Sequence, residues 1–206
     1  MEAENDFLVI FKDLGVIIED GHFAYASGLH GSVYVNKDAL FANPPQAMRI
    51  SRELAAQFKD NSVQTIVGPA TGGAILATLT AHQLTEYNRE AFIASPLVRA
   101  AYTDKKRDGA SILRGFEGII RGRRVMVVDD VITTGSSVAE VIKEVRKLNT
   151  TIVGVATLFN RGGITAKQLD VPRLYSLVEL KINAWPKSEC ALCRGQIPIN
   201  ATFGRG

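Results

Sequence analysis

Val125-Met-Val-Val-Asp-Asp-Val-Ile-Thr-Thr-Gly-Ser-Ser137 decides the reading of this chain. Val125 to Val128 is apolar throughout, with no polar alternation, which predicts a strand (residues 124–128) covered on both faces, as in a parallel sheet. Two adjacent carboxylates, Asp129 and Asp130, end it. Thr133 to Ser137 follow as a loop of hydroxyls around Gly135, and Val138, Val141, Ile142, Val145 and Leu148 then recur at helical spacing. Residues 134–137 therefore bring backbone N–H groups and hydroxyls to a helix N-terminus, where the helix dipole also favours an anion. A phosphate fits there. The carboxylates would repel that same phosphate, so they face something neutral or cationic, such as ribose hydroxyls or a metal-bound sugar. The unit as a whole predicts a sugar-phosphate site, with phosphate in the loop and ribose over the aspartates.

Working outward, strands alternate with helices. Val63–Val67 reads as a short β-branched strand, residues 68–73 (Gly-Pro-Ala-Thr-Gly-Gly) as a loop, Ala74–Glu86 as a helix and Ala91–Ile93 as a strand. Thr151–Phe159 and Leu174–Leu180 complete the strands. Before them come a helix over Asn5–Leu14, a β-hairpin over His22–Asp38, and a helix opened by Pro44-Pro45 with Ala47, Ile50, Leu54 and Phe58 on its apolar stripe. The alternation predicts an α/β fold with a central parallel sheet flanked by helices. In such sheets ligands bind beyond the carboxyl ends of the strands. Tyr102–Gly118 is polar and basic with no apolar period, and a loop of that length in a compact domain is usually functional.

Other phosphate cradles are excluded by their missing motifs. There is no Gly-x-x-x-x-Gly-Lys-Ser/Thr, and no Gly-x-Gly-x-x-Gly after the first strand. A net charge of +3 with interspersed charges, clustered only at residues 105–107 and 121–124, lacks the broad basic stripe of a nucleic-acid binder, so no nucleic-acid partner is expected. The acidic start, Met1-Glu-Ala-Glu, is no signal peptide, and no apolar run reaches membrane-spanning length; the expectation is a cytoplasmic protein with no membrane partner. Cys190-Ala-Leu-Cys193 supplies two thiols. A structural zinc site takes four ligands, and the three histidines lie far from this pair in sequence. Two surface thiols are expected, with a disulfide left open.

The motif 127–137 resembles the phosphoribosyl-pyrophosphate motif of the type I phosphoribosyltransferases almost residue for residue. Residues 21–30, 34–37, 68–73, 113–116 and 190–198 resemble, in order and spacing, orotate phosphoribosyltransferases, most closely a bacterial branch ending in a Cys-x-x-Cys tail. The resemblance implies the family's fold with a small N-terminal β-hairpin hood. The whole chain, 1–206, would be a single phosphoribosyltransferase domain: an N-terminal helix and hood over 1–40, a core sheet over 60–182 and a tail over 183–206. It further implies that Asp129, Asp130, Val131, Ile132, Thr133, Thr134, Gly135, Ser136 and Ser137 hold phosphoribosyl pyrophosphate. Thr71 and Gly72 of the pyrophosphate loop would join them, and Thr133 and Arg161 would hold orotate. The glycines of that loop let backbone amides approach a diphosphate closely. A guanidinium suits a carboxylated planar base through paired hydrogen bonds. Mg²⁺ is the implied cofactor, carried mainly by the diphosphate, and a homodimer sharing the loop 102–118 between subunits is the implied assembly.

Two departures from that family stand out. The hood has Ala26 where lysine is common, and Lys37 is the nearest substitute. The long loop reads Tyr102-Thr-Asp-Lys-Lys-Arg-Asp-Gly109, without the family's Arg-Lys pair or histidine, leaving Lys105, Lys106 and Arg107 to meet the leaving pyrophosphate, with Lys106 the best positional match. Lys106, Asp129 and Asp130 are thus the expected catalytic groups. Transfer to a purine or other base, and a non-catalytic sensor of the same ligand, are the alternative readings.

Overall fold

The structure is a computed structural model that describes residues 2–25, 27–94, 97–105, 111–113 and 115–203. Its chain divides into two compact units, residues 1–43 with 181–206, and residues 44–180.

The first unit opens with helix α1 (Glu2–Asp13) and two nested antiparallel ribbons. β1 (Ile17–Ile18) pairs with β4 (Tyr34–Val35), and inside that ribbon β2 (Phe23–Ala24) pairs with β3 (His30–Gly31). The expected hairpin over 22–38 is therefore two ribbons, and residues 34–35 find their partner upstream of it. Phe11, Val16 and Phe23 are fully buried and give this unit its core. The short helix α2 (Lys37–Phe41) closes the segment.

The second unit is the expected α/β layer structure. α3 (Pro44–Ala56), β5 (Thr65–Pro69), α4 (Gly72–Glu90), β6 (Arg99–Lys105), β7 (Ser111–Ile112), α5 (Glu117–Ile120), β8 (Arg124–Ile132), α6 (Ser136–Arg146), β9 (Thr151–Asn160) and β10 (Leu174–Glu179) follow in chain order. The sheet runs β10-β9-β8-β5-β6-β7, with five parallel strands and β7 antiparallel at the edge. Val125, Met126, Val127 and Val128 are all fully buried, as a strand covered on both faces requires. On α6, Val138, Val141, Ile142 and Val145 line one buried stripe against this sheet. Each such side chain contributes about 1.5–3 kcal/mol on burial, so the stripe anchors the helix whose start forms the cradle.

Three local expectations are corrected. Residues 91–93 are not a strand: α4 runs on to Glu90 and the chain turns after it, Phe92 taking a left-handed φ of 54°. That segment was too short and too exposed to be a sheet member, and the strand beside β5 starts at Arg99. Tyr102–Gly118 is not featureless, because Tyr102–Lys105 belong to β6, Ser111–Ile112 pair back on it, and α5 follows. Parallel pairing with β5 supplies the order that the polar composition concealed. Finally, Asp129 and Asp130 do not follow the strand but lie within β8, which continues to Ile132. Register pairing of Asp129 with Thr157 and of Ile132 with Asn160 on β9 extends it past the carboxylates.

The tail after residue 180 returns to the first unit and ends in the single turn α7 (Ala191–Arg194). Trp185 and His30 exchange backbone hydrogen bonds, Trp185 accepting at 2.8 Å and donating at 2.9 Å, and the Asn200 N–H donates to the His22 carbonyl at 2.7 Å. The cysteines correct the sequence reading. Neither is in a disulfide, Cys190 is fully buried instead of lying at the surface, and His22 and His30 stand beside the pair. Those histidines are remote in sequence but not in space, because the tail pairs with the ribbon that carries them.

Candidate active site

The parallel strands of the second unit end at one edge of the sheet, and most of the expected site residues collect there. Asp129 and Asp130 lie on β8 four and three residues before Thr133, with Asp129 6% and Asp130 4% exposed. Buried carboxylates need hydrogen-bond donors. Asp129 Oδ1 accepts the Asp130 N–H at 2.9 Å, Asp130 Oδ1 accepts the Val131 N–H at 2.8 Å, and the Thr157 hydroxyl donates to the Asp130 carbonyl at 3.2 Å. The pair is therefore held in place by its own strand and by β9. Thr157 was not singled out from sequence, although a hydroxyl inside an otherwise apolar strand was a legible signal.

After β8 the chain turns sharply. Thr133 and Thr134 are exposed, and Gly135 takes a left-handed φ of 77° as the residue capping α6. A side chain there would be strained, which is why glycine stands between the hydroxyls. The Thr134 and Ser136 hydroxyls lie 3.0 Å apart. The α6 hydrogen-bond ladder starts with the Ala139 N–H donating to the Gly135 carbonyl at 2.9 Å. The earlier N–H groups of such a helix have no intrahelical acceptor, so an anion can take them, and Ser136 and Ser137 add hydroxyls to the same rim.

The loop after β5 meets this edge from the other side. Its Ala70–Thr71 peptide is cis, Thr71 is exposed at the start of α4, and the Ala70 N–H donates to the Thr103 carbonyl of β6 at 2.8 Å. Gly72 packs so closely on the acidic pair that a Cβ there would fall 1.7 Å from Asp130 Oδ2. Any side chain at 72 would displace that carboxylate. Two segments 58 residues apart thus form one rim, with Thr71 and Gly72 beside Asp130.

Arg161 joins from β9. Its N–H donates to the Ile132 carbonyl at 2.8 Å, and the Gly162 N–H reaches the same oxygen at 3.3 Å. A Cβ on Gly162 would overlap the Thr133 carbonyl at 1.7 Å, so glycine lets this loop lie directly on Thr133. Asn160 secures the turn: its Nδ2 donates to the Ile164 carbonyl at 2.9 Å and its Oδ1 accepts the Ile164 N–H at 3.0 Å. Thr133 and the Arg161 loop are brought together. Asn160 is a positioning residue that no sequence pattern singled out.

The basic groups of the long loop are placed only in part. Lys105 is exposed at the end of β6, whereas Lys106 and Arg107 lie outside the described residues. Lys37 starts α2 in the other unit and is half-buried. A hollow of about 850 Å³ lined by Val63, Gln64, Tyr87, Asn88 and Arg124 opens instead at the amino end of β8, whereas the acidic pair lies toward the carboxyl end of that strand.

Parallel strands whose common carboxyl edge carries a buried acidic pair, a hydroxyl-rich helix start and a glycine rim define an α/β protein built to bind a sugar phosphate. The chain belongs to the phosphoribosyl transferase domain family, whose profile matches residues 36–192. It is 39% identical over 199 residues to an orotate phosphoribosyltransferase of Caldanaerobacter subterraneus subsp. tengcongensis, an alignment covering 97% of this chain and 96% of that one. It is 36% identical over 199 residues to an orotate phosphoribosyltransferase of a Thermoanaerobacter species, at the same coverage of 97% and 96%. Among solved structures it is similar to the orotate phosphoribosyltransferase from Aeropyrum pernix, with a TM-score of 0.65, 26% identity, and 88% of this chain and 94% of that chain covered.

Proposed function

We propose that the chain transfers the phosphoribosyl group of phosphoribosyl pyrophosphate to orotate, giving orotidine 5′-phosphate and pyrophosphate in pyrimidine nucleotide synthesis. The observation that carries this reading is the docking of the Arg161 loop on Thr133 at the end of β8, beside the acidic pair. The relatives' shared activity points the same way.

In this reading residues 133–137 and the first turn of α6 take the 5-phosphate, and Val131 and Ile132 supply the backbone leading into that turn. Asp129 and Asp130 accept hydrogen bonds from the ribose hydroxyls. As the bond from ribose C1 to the diphosphate breaks and the bond to the base nitrogen forms, C1 gains positive charge, which the carboxylates below it offset. Thr71 and Gly72 receive the diphosphate, and Lys105 and Lys106 meet its growing negative charge. Arg161 and Thr133 hold the base in line, so that much of the barrier is removed by positioning.

Magnesium fits this edge. The side-chain donors are carboxylate and hydroxyl oxygens, the ligands a hard cation prefers, and the glycine rim at Gly72 leaves Asp130 next to where a diphosphate would lie. Asp129 and Asp130 would hold it through the ribose hydroxyls and water, with the diphosphate supplying most of its ligands. When bound it neutralises charge on the leaving diphosphate. The segment 102–118, which includes the end of β6 and all of β7, closes over the site of a neighbouring subunit in a homodimer and keeps water from the activated ribose. No helix of the described residues is long and apolar enough to cross a membrane, and the charged, phosphorylated substrates suit the cytoplasmic location proposed for the chain.

The direct test follows orotate absorbance with Mg²⁺ and phosphoribosyl pyrophosphate, with adenine, guanine, hypoxanthine and uracil as controls. Loss of orotate absorbance is expected. Turnover with a purine alone would reassign the acceptor, and binding without pyrophosphate release for any base would make the protein a sensor. Lys106→Ala is expected to lower kcat about 10²-fold with the KM for orotate little changed. Full turnover in that variant would remove Lys106 from the mechanism.

A further inference from the structure

Four side chains that the reaction does not use converge in the first unit. His22 precedes β2, His30 opens β3, Cys190 caps the start of the turn α7, and Cys193 lies within it. One ligand atom from each lies within 4.8 Å of all the others. His22 Nε2 is 2.9 Å from His30 Nδ1, 3.7 Å from Cys190 Sγ and 3.5 Å from Cys193 Sγ, and Cys193 Sγ is 3.3 Å from His30 Nδ1. Tetrahedral zinc with bonds of about 2.3 Å to sulfur and 2.0–2.1 Å to nitrogen requires ligand separations of roughly 3.3–3.8 Å. The three sulfur–nitrogen distances already lie in or at the edge of that range, and the two nitrogens must part by a few tenths of an ångström.

We propose that His22, His30, Cys190 and Cys193 bind a structural zinc ion that fastens the tail to the N-terminal ribbons.

The cluster converges on a single lone pair. His22 Nδ1 lies 2.7 Å from the Ile197 carbonyl, which can only accept, so Nδ1 carries the proton and Nε2 offers a single lone pair. Three groups surround that lone pair, yet only one of them can donate to it. A cation at their centre satisfies all four. The Ile197 contact is also the outer hydrogen bond that orients a metal-binding imidazole and fixes its tautomer. Two thiolates around a divalent ion form a neutral group, which can be buried where two bare thiolates cannot. His22 is 2% exposed, His30 5% and Cys190 0%. The Cys-x-x-Cys spacing on a single helical turn is the usual zinc half-site. All four positions are filled by protein, so the site is closed and the ion structural. A unit of this size rarely draws more than about 3–5 kcal/mol from its apolar core, and a structural metal is one common supplement.

The test uses the full chain, expressed without a histidine tag and purified under reducing conditions. Elemental analysis should find about one zinc per chain, and Cys193→Ser and His30→Ala should each lose most of it. Because those variants could fail to fold, the wild-type chain is also stripped with a chelator and titrated with Co²⁺. The expected spectrum has intense tetrahedral d–d bands and a sulfur-to-cobalt charge-transfer band. Stripping should also lower the melting temperature, and zinc should restore it. A folded wild-type chain that takes up neither metal, a Co²⁺ spectrum without the sulfur band, or a Cys190–Cys193 disulfide in the native protein would each overturn the proposal.

Discussion

Replacing Asp129 and Asp130 together by asparagine is expected to lower kcat/KM for phosphoribosyl pyrophosphate by a factor on the order of 10²–10⁴, because each charged hydrogen bond to a ribose hydroxyl contributes about 1.5–3 kcal/mol. The substitution keeps shape and leaves an amide oxygen to accept the N–H groups of Asp130 and Val131, which the carboxylates accept at 2.9 and 2.8 Å. β8 should therefore form normally, with the melting temperature little changed. The measurement is steady-state kinetics in the cosubstrate beside a thermal melt. Wild-type kcat/KM in a folded double variant would detach the acidic pair from the ribose. A melt lowered in step with activity would make the pair structural.

Arg161→Ala is expected to raise the KM for orotate about 10–100-fold while leaving the KM for phosphoribosyl pyrophosphate nearly unchanged. The backbone of the loop is held by hydrogen bonds to the Ile132 carbonyl and by the close fit of Gly162 on Thr133, so the side chain can be removed without releasing the turn. Arg161→Lys should recover only part of the loss, since an ammonium offers charge without the planar fork that matches a carboxylate. An unchanged KM for orotate would take the acceptor assignment away from Arg161 and leave the cosubstrate assignment standing. The two substitutions thus test the two halves of the site separately.

The halves were unequally legible in sequence. The 125–137 unit could be read locally because each part of its chemistry lies within one strand, one turn and one helix: apolar run, acids, hydroxyl loop, amphipathic stripe. The place of Gly135 between the hydroxyls is a local requirement too, met by its left-handed φ of 77°. For Gly72 the sequence suggested only close approach of a diphosphate, since what forbids a side chain there is the Asp130 carboxylate 58 residues away. Tyr102–Lys105 looked like loop because its polar residues hide a strand whose order comes from pairing with β5. Residues 91–93 looked like strand because three residues of apolar character carry too little periodicity to distinguish a helix end from a β-strand.

What the sequence alone determined is the alternation of strand and helix, the parallel sheet it implies, and the anion cradle at the start of α6. Each depends on side-chain periodicity and turn chemistry over a dozen residues. Tertiary structure alone decided that Gly72 abuts Asp130, that the Arg161 loop lies on Thr133, and that Cys190 and Cys193 meet His22 and His30 across 160 or more residues of chain. Those contacts follow from strand register and from the tail's return to the N-terminal ribbons. No local pattern encodes them, because the energy that selects them is the burial and hydrogen bonding of whole segments against one another.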